Sequence, residues 1–127
     1  MVLADVTTSF GLTGRQAEST LRAAGMTLNR NALPFDVNGP WYTSGLRLGT
    51  PAITTLGMGT AEIEEIAEVM TDVLRATTPV VTNGTPSKAK SVTDARAAAE
   101  ARSRIGALCQ KFPVYPEIDL SILDPAE

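Results

Sequence analysis

Between Leu12 and Met26 the sequence leaves the backbone little choice. Thr13 and Gln16 stand at capping-box spacing, where the threonine hydroxyl takes the N3 amide and the glutamine side chain returns to the threonine N–H. Leu12 and Ala17 fall at the two positions of a hydrophobic staple, and Ala17, Leu21 and Ala24 form an inward stripe at helical spacing. Gly25 fits a left-handed C-cap, with Met26 placed to touch Leu21. Start, face and stop signals all predict one helix opening at Thr13 and closing at Gly25.

On either side the pattern predicts short strands and two more helices. Residues 2–8 alternate, Val2, Ala4 and Val6 against Leu3, Asp5 and Thr7, which predicts a strand buried mainly on one face, with a turn over Ser9 to Leu12. Met26 to Arg30 reads as a second strand. Residues 31–44 carry two prolines and a glycine, so they read as a loop, in which Trp41 either caps the core, the favoured reading, or forms part of a ligand wall. Gly45-Leu46-Arg47-Leu48-Gly49 reads as a strand with both leucines on one face and Arg47 on the other. Its flanking glycines mark a bulge or a close approach by ligand or backbone. On strand geometry alone Arg47 is a solvated residue.

Pro51 ends that pairing. A helix is expected from Thr60, with Glu62, Glu64 and Glu65 near its positive end and Ile63, Ile66, Met70, Val73 and Leu74 on its buried face. Residues 76–90 are rich in Thr, Pro, Asn, Gly, Ser and Lys and read as a mobile linker. A third helix is expected, capped near Ser91 or Thr93, with Ala98, Ala101, Ile105, Leu108 and Phe112 inward and Pro113 as its stop. The acidic tail, 117–127, offers Ile118, Leu120, Ile122 and Leu123 for docking.

Composition bounds the function. A chain of 127 residues, 43% hydrophobic, suits a single domain, and only 5% aromatic content means a core of Ala, Val, Leu, Ile and Met. A net charge of -3, with Lys88, Lys90 and Lys111 as the only lysines, argues against a nucleic-acid partner. There is no histidine, which removes the usual general base and the commonest metal ligand, and one cysteine, Cys109, cannot build a zinc site or an internal disulfide. No apolar run approaches the ~20 residues of a membrane span. Met1-Val2-Leu3-Ala4-Asp5 lacks the basic start of a secretory signal, so a cytoplasmic location is expected, and Asn83-Gly84-Thr85 reads as a chance glycosylation match.

Three stretches together resemble one family. Leu12-Thr13-Gly14-Arg15-Gln16-Ala17-Glu18 is similar to the Leu-Thr-Gly-Lys-x-Ala-Glu of serine hydroxymethyltransferases. Leu28-Asn29-Arg30-Asn31-Ala32-Leu33-Pro34-Phe35-Asp36 is similar to their Val-Asn-Lys-Asn-x-(Ile/Val)-Pro-x-Asp, and Thr43-Ser44-Gly45-Leu46-Arg47-Leu48-Gly49-Thr50-Pro51-Ala52 to their Thr-Ser-Gly-(Ile/Leu)-Arg-(Val/Ile/Leu)-Gly-Thr-Pro-Ala. Phe112-Pro113-Val114-Tyr115 looks like the family's final helix and exit.

The resemblance implies the C-terminal domain of a pyridoxal 5'-phosphate enzyme that moves the serine hydroxymethyl group to tetrahydrofolate, leaving glycine. The fold it implies is α/β of the two-layer α+β kind. A small antiparallel sheet carries helices on one face, as in the C-terminal domains of fold type I pyridoxal-phosphate enzymes. By resemblance Arg47 grips the amino-acid carboxylate; a guanidinium suits that task as a planar, always charged fork. Asn31 corresponds to the asparagine that contacts the folate pterin, and Asn38-Gly39-Pro40 to a turn lining the folate pocket. Two departures stand out. Gly39-Pro40-Trp41 replaces a Ser-Pro-Phe, and Thr55-Leu56-Gly57 replaces a Thr-Arg-Gly, so Leu56 lacks a charge common in the family.

The family's Schiff-base lysine follows a histidine, in Thr-Thr-His-Lys, and this chain has no histidine. The expected partners are therefore the large N-terminal domain of the same enzyme, serine or glycine, and tetrahydrofolate, in a homodimer or higher oligomer. No cofactor is expected on the 127 residues alone, and the face with Phe35, Trp41 and Tyr42 is expected to be uncovered. Two other readings stay open: a stand-alone module that holds an amino-acid carboxylate through Arg47, and a structural fragment without activity.

Overall fold

The computed structural model describes residues 1–119. Its elements are β1 (Val2–Asp5), α1 (Val6–Phe10), α2 (Gly14–Ala23), β2 (Asn29–Asn31), α3 (Gly39–Tyr42), β3 (Gly45–Leu48), α4 (Pro51–Thr55), α5 (Thr60–Arg75), β4 (Thr77–Thr82), β5 (Thr85–Thr93) and α6 (Ala95–Lys111). Strands β1 and β2 both run antiparallel to a central β3, and β4 and β5 form a separate two-stranded sheet.

Helix α2 forms as its local signals dictate. Gln16 N donates to Thr13 Oγ1 at 3.2 Å and Thr13 N to Gln16 Oε1 at 2.9 Å, closing the capping box. At the other end Met26 N reaches Leu21 O and Gly25 N reaches Arg22 O, with Gly25 at φ 90°, a Schellman closure. Leu12, Ala17, Leu21, Ala24 and Met26 are buried, and α2 packs on β2, β3, β5 and α5. From β3, Leu46 enters the same core, which α5 completes with Val69, Val73 and Leu74 and α6 with Ala101, Ile105 and Leu108. Full burial of Leu21 and Leu46 contributes on the order of 2 kcal/mol each, more than an exposed ion pair does. Packing, not surface charge, joins α2 to the sheet. The expected small antiparallel sheet with an α+β fold is what forms.

Several boundaries differ from expectation, each for a local reason. The first strand stops at Asp5 because that side chain caps α1, accepting from Thr8 N at 2.9 Å and Thr8 Oγ1 at 2.7 Å. Val6 then turns inward, 1% exposed. The second strand lies at Asn29–Asn31, not from Met26, since Met26 completes the α2 closure. Pro51 begins α4, where its missing N–H costs nothing. On α5 it is Val69 that joins Val73 and Leu74 as fully buried.

The segment expected as a mobile linker, 76–90, is the largest difference. It is part of a β-hairpin, closed by Asn83 (φ 52°) and Gly84 (φ 78°), the two positive φ values of a type I′ turn. Between the pairs Pro79↔Ser91 and Val81↔Pro86, β4 spends only Val80 while β5 spends Ser87 to Lys90, so β5 bulges. That bulge meets α2. Gln16 Nε2 donates to Ser87 O at 2.6 Å and Lys90 O at 2.9 Å, and Thr13 Oγ1 donates to Lys88 O at 2.7 Å. The hairpin's order comes from its turn and from α2's polar side chains, which its own apolar content does not register.

Because β5 runs to Thr93, α6 is capped by Asp94 rather than by Ser91 or Thr93. In the tail, Ile118 is 49% exposed, and Leu120, Ile122 and Leu123 lie outside the described residues. Among the described residues no helix is long and apolar enough to cross a membrane.

Candidate functional site

Alternation along β3 sends Leu46 into the core and Arg47 to the opposite face. Arg47 pairs with Leu3 on β1 and Asn29 on β2, so these three share that face. It is an open face: Arg47 and Asn29 are exposed and Leu3 is 43% exposed. Among the described residues Arg47 has no hydrogen-bond or ion-pair partner, so its fork is free for a ligand. Its backbone is held from both sides by β1 and β2. A fixed base with a free guanidinium is what bidentate carboxylate recognition needs.

The glycine before it is needed for close approach. A Cβ on Gly45 would stand 2.7 Å from Asn31 O and 2.8 Å from Leu33 Cδ2. Leu33 therefore covers the outer face at Gly45 and leaves it open at Arg47. Asn31 pairs with Gly45, diagonal to Arg47 at roughly 7–8 Å, and its Nδ2 donates to Ala32 O at 2.8 Å. Among the described residues no hydrogen-bond donor reaches the Asn31 side-chain oxygen.

The loop from residue 32 to 44 is organised by a residue the sequence reading gave no role, Asp36. Its Oδ2 accepts from Ser44 N at 2.7 Å and Leu33 N at 3.0 Å. Its Oδ1 accepts from Ser44 Oγ at 2.7 Å and Asn38 N at 2.9 Å. Partial burial pushes this carboxyl up, but the hydrogen bonds from Ser44 and from the Leu33 and Asn38 amides outweigh it and hold the pKa at about 2. Phe35 (φ 57°) and Thr43 (φ 60°) sit in left-handed backbone, which costs non-glycine residues on the order of 1–3 kcal/mol each. A spacing clue existed: aspartate two residues before Asn38 is the pattern of an Asx turn, in which the side chain accepts from that amide.

Asn38 serves the same loop. Its Nδ2 donates to Ser44 Oγ at 2.9 Å and Thr7 Oγ1 at 3.1 Å, so both amide hydrogens are spent inside the chain. Gly39, at φ 73°, has open space around it, and Pro40 is exposed. The fold thus brings Asn31 beside Arg47 across β2–β3 and sets the Asn38-Gly39-Pro40 turn above Ser44, one residue before β3.

Trp41 does not cap the core. It is 61% exposed, with the Arg30 guanidinium 5.2 Å and the Arg15 guanidinium 5.6 Å from its ring centroid, and Arg30 also pairs with Glu18 at 3.2 Å. Cation–π attraction at an exposed site contributes about 0.5–1 kcal/mol and lets the indole stay outside. Phe35 is fully exposed, at 101%, and Tyr42 is half-buried. Leu56 closes α4 as its C-cap and is partly buried.

Lys88 and Lys90 are exposed on β5 and Lys111 is exposed at the end of α6. The hollow between α5 and α6 and the one between α2, β5 and α6 are lined by neither lysine nor tyrosine. Among the described residues no group of three or more Asp, Glu or Cys is placed to hold a metal ion.

The family model for serine hydroxymethyltransferase matches residues 1–70, the span that holds Arg47, Asn31 and the Asn38-Gly39-Pro40 turn. Proteins named serine hydroxymethyltransferase from Cutibacterium acnes and Salinispora tropica are 49% and 51% identical over 120 and 121 residues, 94% of this chain in each case. One from Treponema pallidum is 51% identical over 87% of it. The chain spans 24%, 25% and 19% of those relatives' own lengths, about a quarter or less. Motifs, fold and long-range identity together place this chain in the serine hydroxymethyltransferase family.

Proposed function

We propose that this chain is the substrate-clamping, C-terminal part of a serine hydroxymethyltransferase, in which Arg47 binds the carboxylate of serine or glycine. The observation that supports it is a guanidinium without a partner among the described residues, exposed on the central strand of a sheet whose neighbours fix its backbone. Holding the carboxylate orients the rest of the amino acid, a positioning contribution. Asn31 supplies a side-chain oxygen to the folate-like co-substrate, and Gly39 and Pro40 form part of its wall. Asn38 shapes that wall, since its amide hydrogens are spent on Thr7 and Ser44.

Pyridoxal phosphate would supply an electron sink in such an enzyme, and the lysines of this chain, Lys88, Lys90 and Lys111, are all exposed. The large domain of the relatives is the expected partner and the holder of that group. The 127 residues alone are expected to be inactive, as a cytoplasmic enzyme's fragment.

The test joins residues 1–127 to the other three-quarters of the Cutibacterium acnes relative, in place of its matching stretch. Arg47→Lys keeps the charge but loses the fork. One lost charge-assisted hydrogen bond, about 1.5–3 kcal/mol, raises the serine KM roughly 10- to 100-fold. Arg102→Lys, on the exposed side of α6, serves as the control and changes nothing. Normal serine kinetics in Arg47→Lys would refute the clamp.

A further inference from the structure

The two strained residues of the loop flank one clasp. Phe35 precedes Asp36, and Thr43 (φ 60°, ψ 169°) precedes Ser44. Backbone of this kind persists only where its surroundings over-determine it. Here Asp36 does so, taking both the N–H and the hydroxyl of Ser44 at 2.7 Å. On its other side the Ser44 carbonyl accepts from Val6 N at 3.0 Å, at the junction of β1 and α1. Ser44 is thus tied through its N–H, hydroxyl and carbonyl, and it is 3% exposed. Gly45 follows with Asn31 and Leu33 pressed against it, and Arg47 comes two residues later on the same face.

We propose that Asp36 is a positioning residue for Arg47: by clasping Ser44 it fixes where β3 starts, and so where the free guanidinium stands. This rests on Arg47 being the carboxylate clamp. Asp36 touches no substrate. Its four hydrogen bonds all come from donors, Leu33 N, Asn38 N, Ser44 N and Ser44 Oγ, so an acceptor-only carboxylate is required. The amide of Asp36→Asn has the same shape, but its NH2 must face at least one backbone N–H. The clasp opens while the core, which Asp36 does not enter, is untouched.

In the same joined enzyme, Asp36→Asn is expected to raise the serine KM about 10-fold, with kcat changed less, because a misplaced clamp binds the carboxylate less tightly. Combined with Arg47→Lys it adds little further, since both act through one contact. A purely structural Asp36 would instead give multiplicative losses in the double variant. An unchanged serine KM in Asp36→Asn, beside a raised one in Arg47→Lys, overturns the proposal, as does full additivity. If Arg47→Lys itself has no effect, the clamp reading fails, and a second measurement on the 127-residue chain judges the clasp alone. There, amide NMR shifts in Asp36→Asn are expected to move from Leu33 through Arg47 while those of Val69, Val73 and Ile105 stay. Shifts that stop at Ser44 overturn the proposal.

Discussion

Gln16 closes the capping box of α2 and anchors the β4–β5 hairpin with the same side chain, and replacing it with glutamate separates the two tasks. Its Oε1 accepts from Thr13 N, while its Nε2 donates to Ser87 O and Lys90 O, and the residue is 1% exposed. Gln16→Glu keeps the acceptor but sets an oxygen against two carbonyls. Two hydrogen bonds at about 1 kcal/mol each are lost, and burial of an unpaired charge adds to the cost, for a total on the order of 4 kcal/mol at pH 8. For 127 residues that lowers Tm by roughly 10–15 °C.

Burial and the facing carbonyls raise the pKa of the introduced carboxyl above its unfolded value. The charge penalty is therefore present above the folded pKa and fades as pH falls through it, when the acid's O–H donates to one carbonyl again. Urea unfolding at pH 8 and pH 5, with Gln16→Met as an uncharged control, measures this. The glutamate variant is expected to recover about half its loss at pH 5, and the methionine variant none. A glutamate variant no worse than methionine at pH 8, or one indifferent to pH, would refute the reasoning.

Other perturbations test separate contacts. Gly45→Ala places a Cβ 2.7 Å from Asn31 O, so it is expected to cost about 1–3 kcal/mol in urea unfolding, and an unchanged midpoint would contradict the close approach. Asp36, held at about 2, gives stability that is present above the unfolded pKa of about 3.9 and lost as pH falls toward 2. Asp36→Asn should remove that share of the acid limb, on the order of 1 kcal/mol after solvent screening, as read by unfolding between pH 5 and 2. Arg104 sits 2.7 Å from Glu68, 3.7 Å from Glu65 and 3.9 Å from Asp72, bridging α5 and α6 at 30% side-chain exposure. Arg104→Met is expected to cost about 0.5–1 kcal/mol at low salt and almost nothing in 1 M salt; a loss that ignores salt would point to packing instead.

How legible each part was follows from how local its cause is. Helix α2 could be read because Thr13, Gln16, Ala17, Leu21 and Gly25 act on one another within a few residues. Strand β3 was read correctly for a related reason, as alternation alone separates Leu46 from Arg47. The hairpin was misread although Asn83-Gly84 is a strong turn signal. Pro79 and Pro86 spoke against strands, and the bulge that accommodates this pairing is stabilised by Thr13 and Gln16, some seventy residues away.

The sequence by itself determined the α2 caps, the buried and exposed sides of β3, and, through its motifs, the family. Those depend on covalent spacing and on side chains that are close in the chain. Only the tertiary structure decided that Trp41 stays outside under two guanidiniums, that Asn38 spends its amide on Thr7 and Ser44, and that Asp36 clasps Ser44. Each of these turns on a side chain choosing between water and a partner that folding alone brings within reach. Such a choice is fixed by hydrogen-bond geometry at about 3 Å, which residue spacing along a proline-bearing loop does not specify.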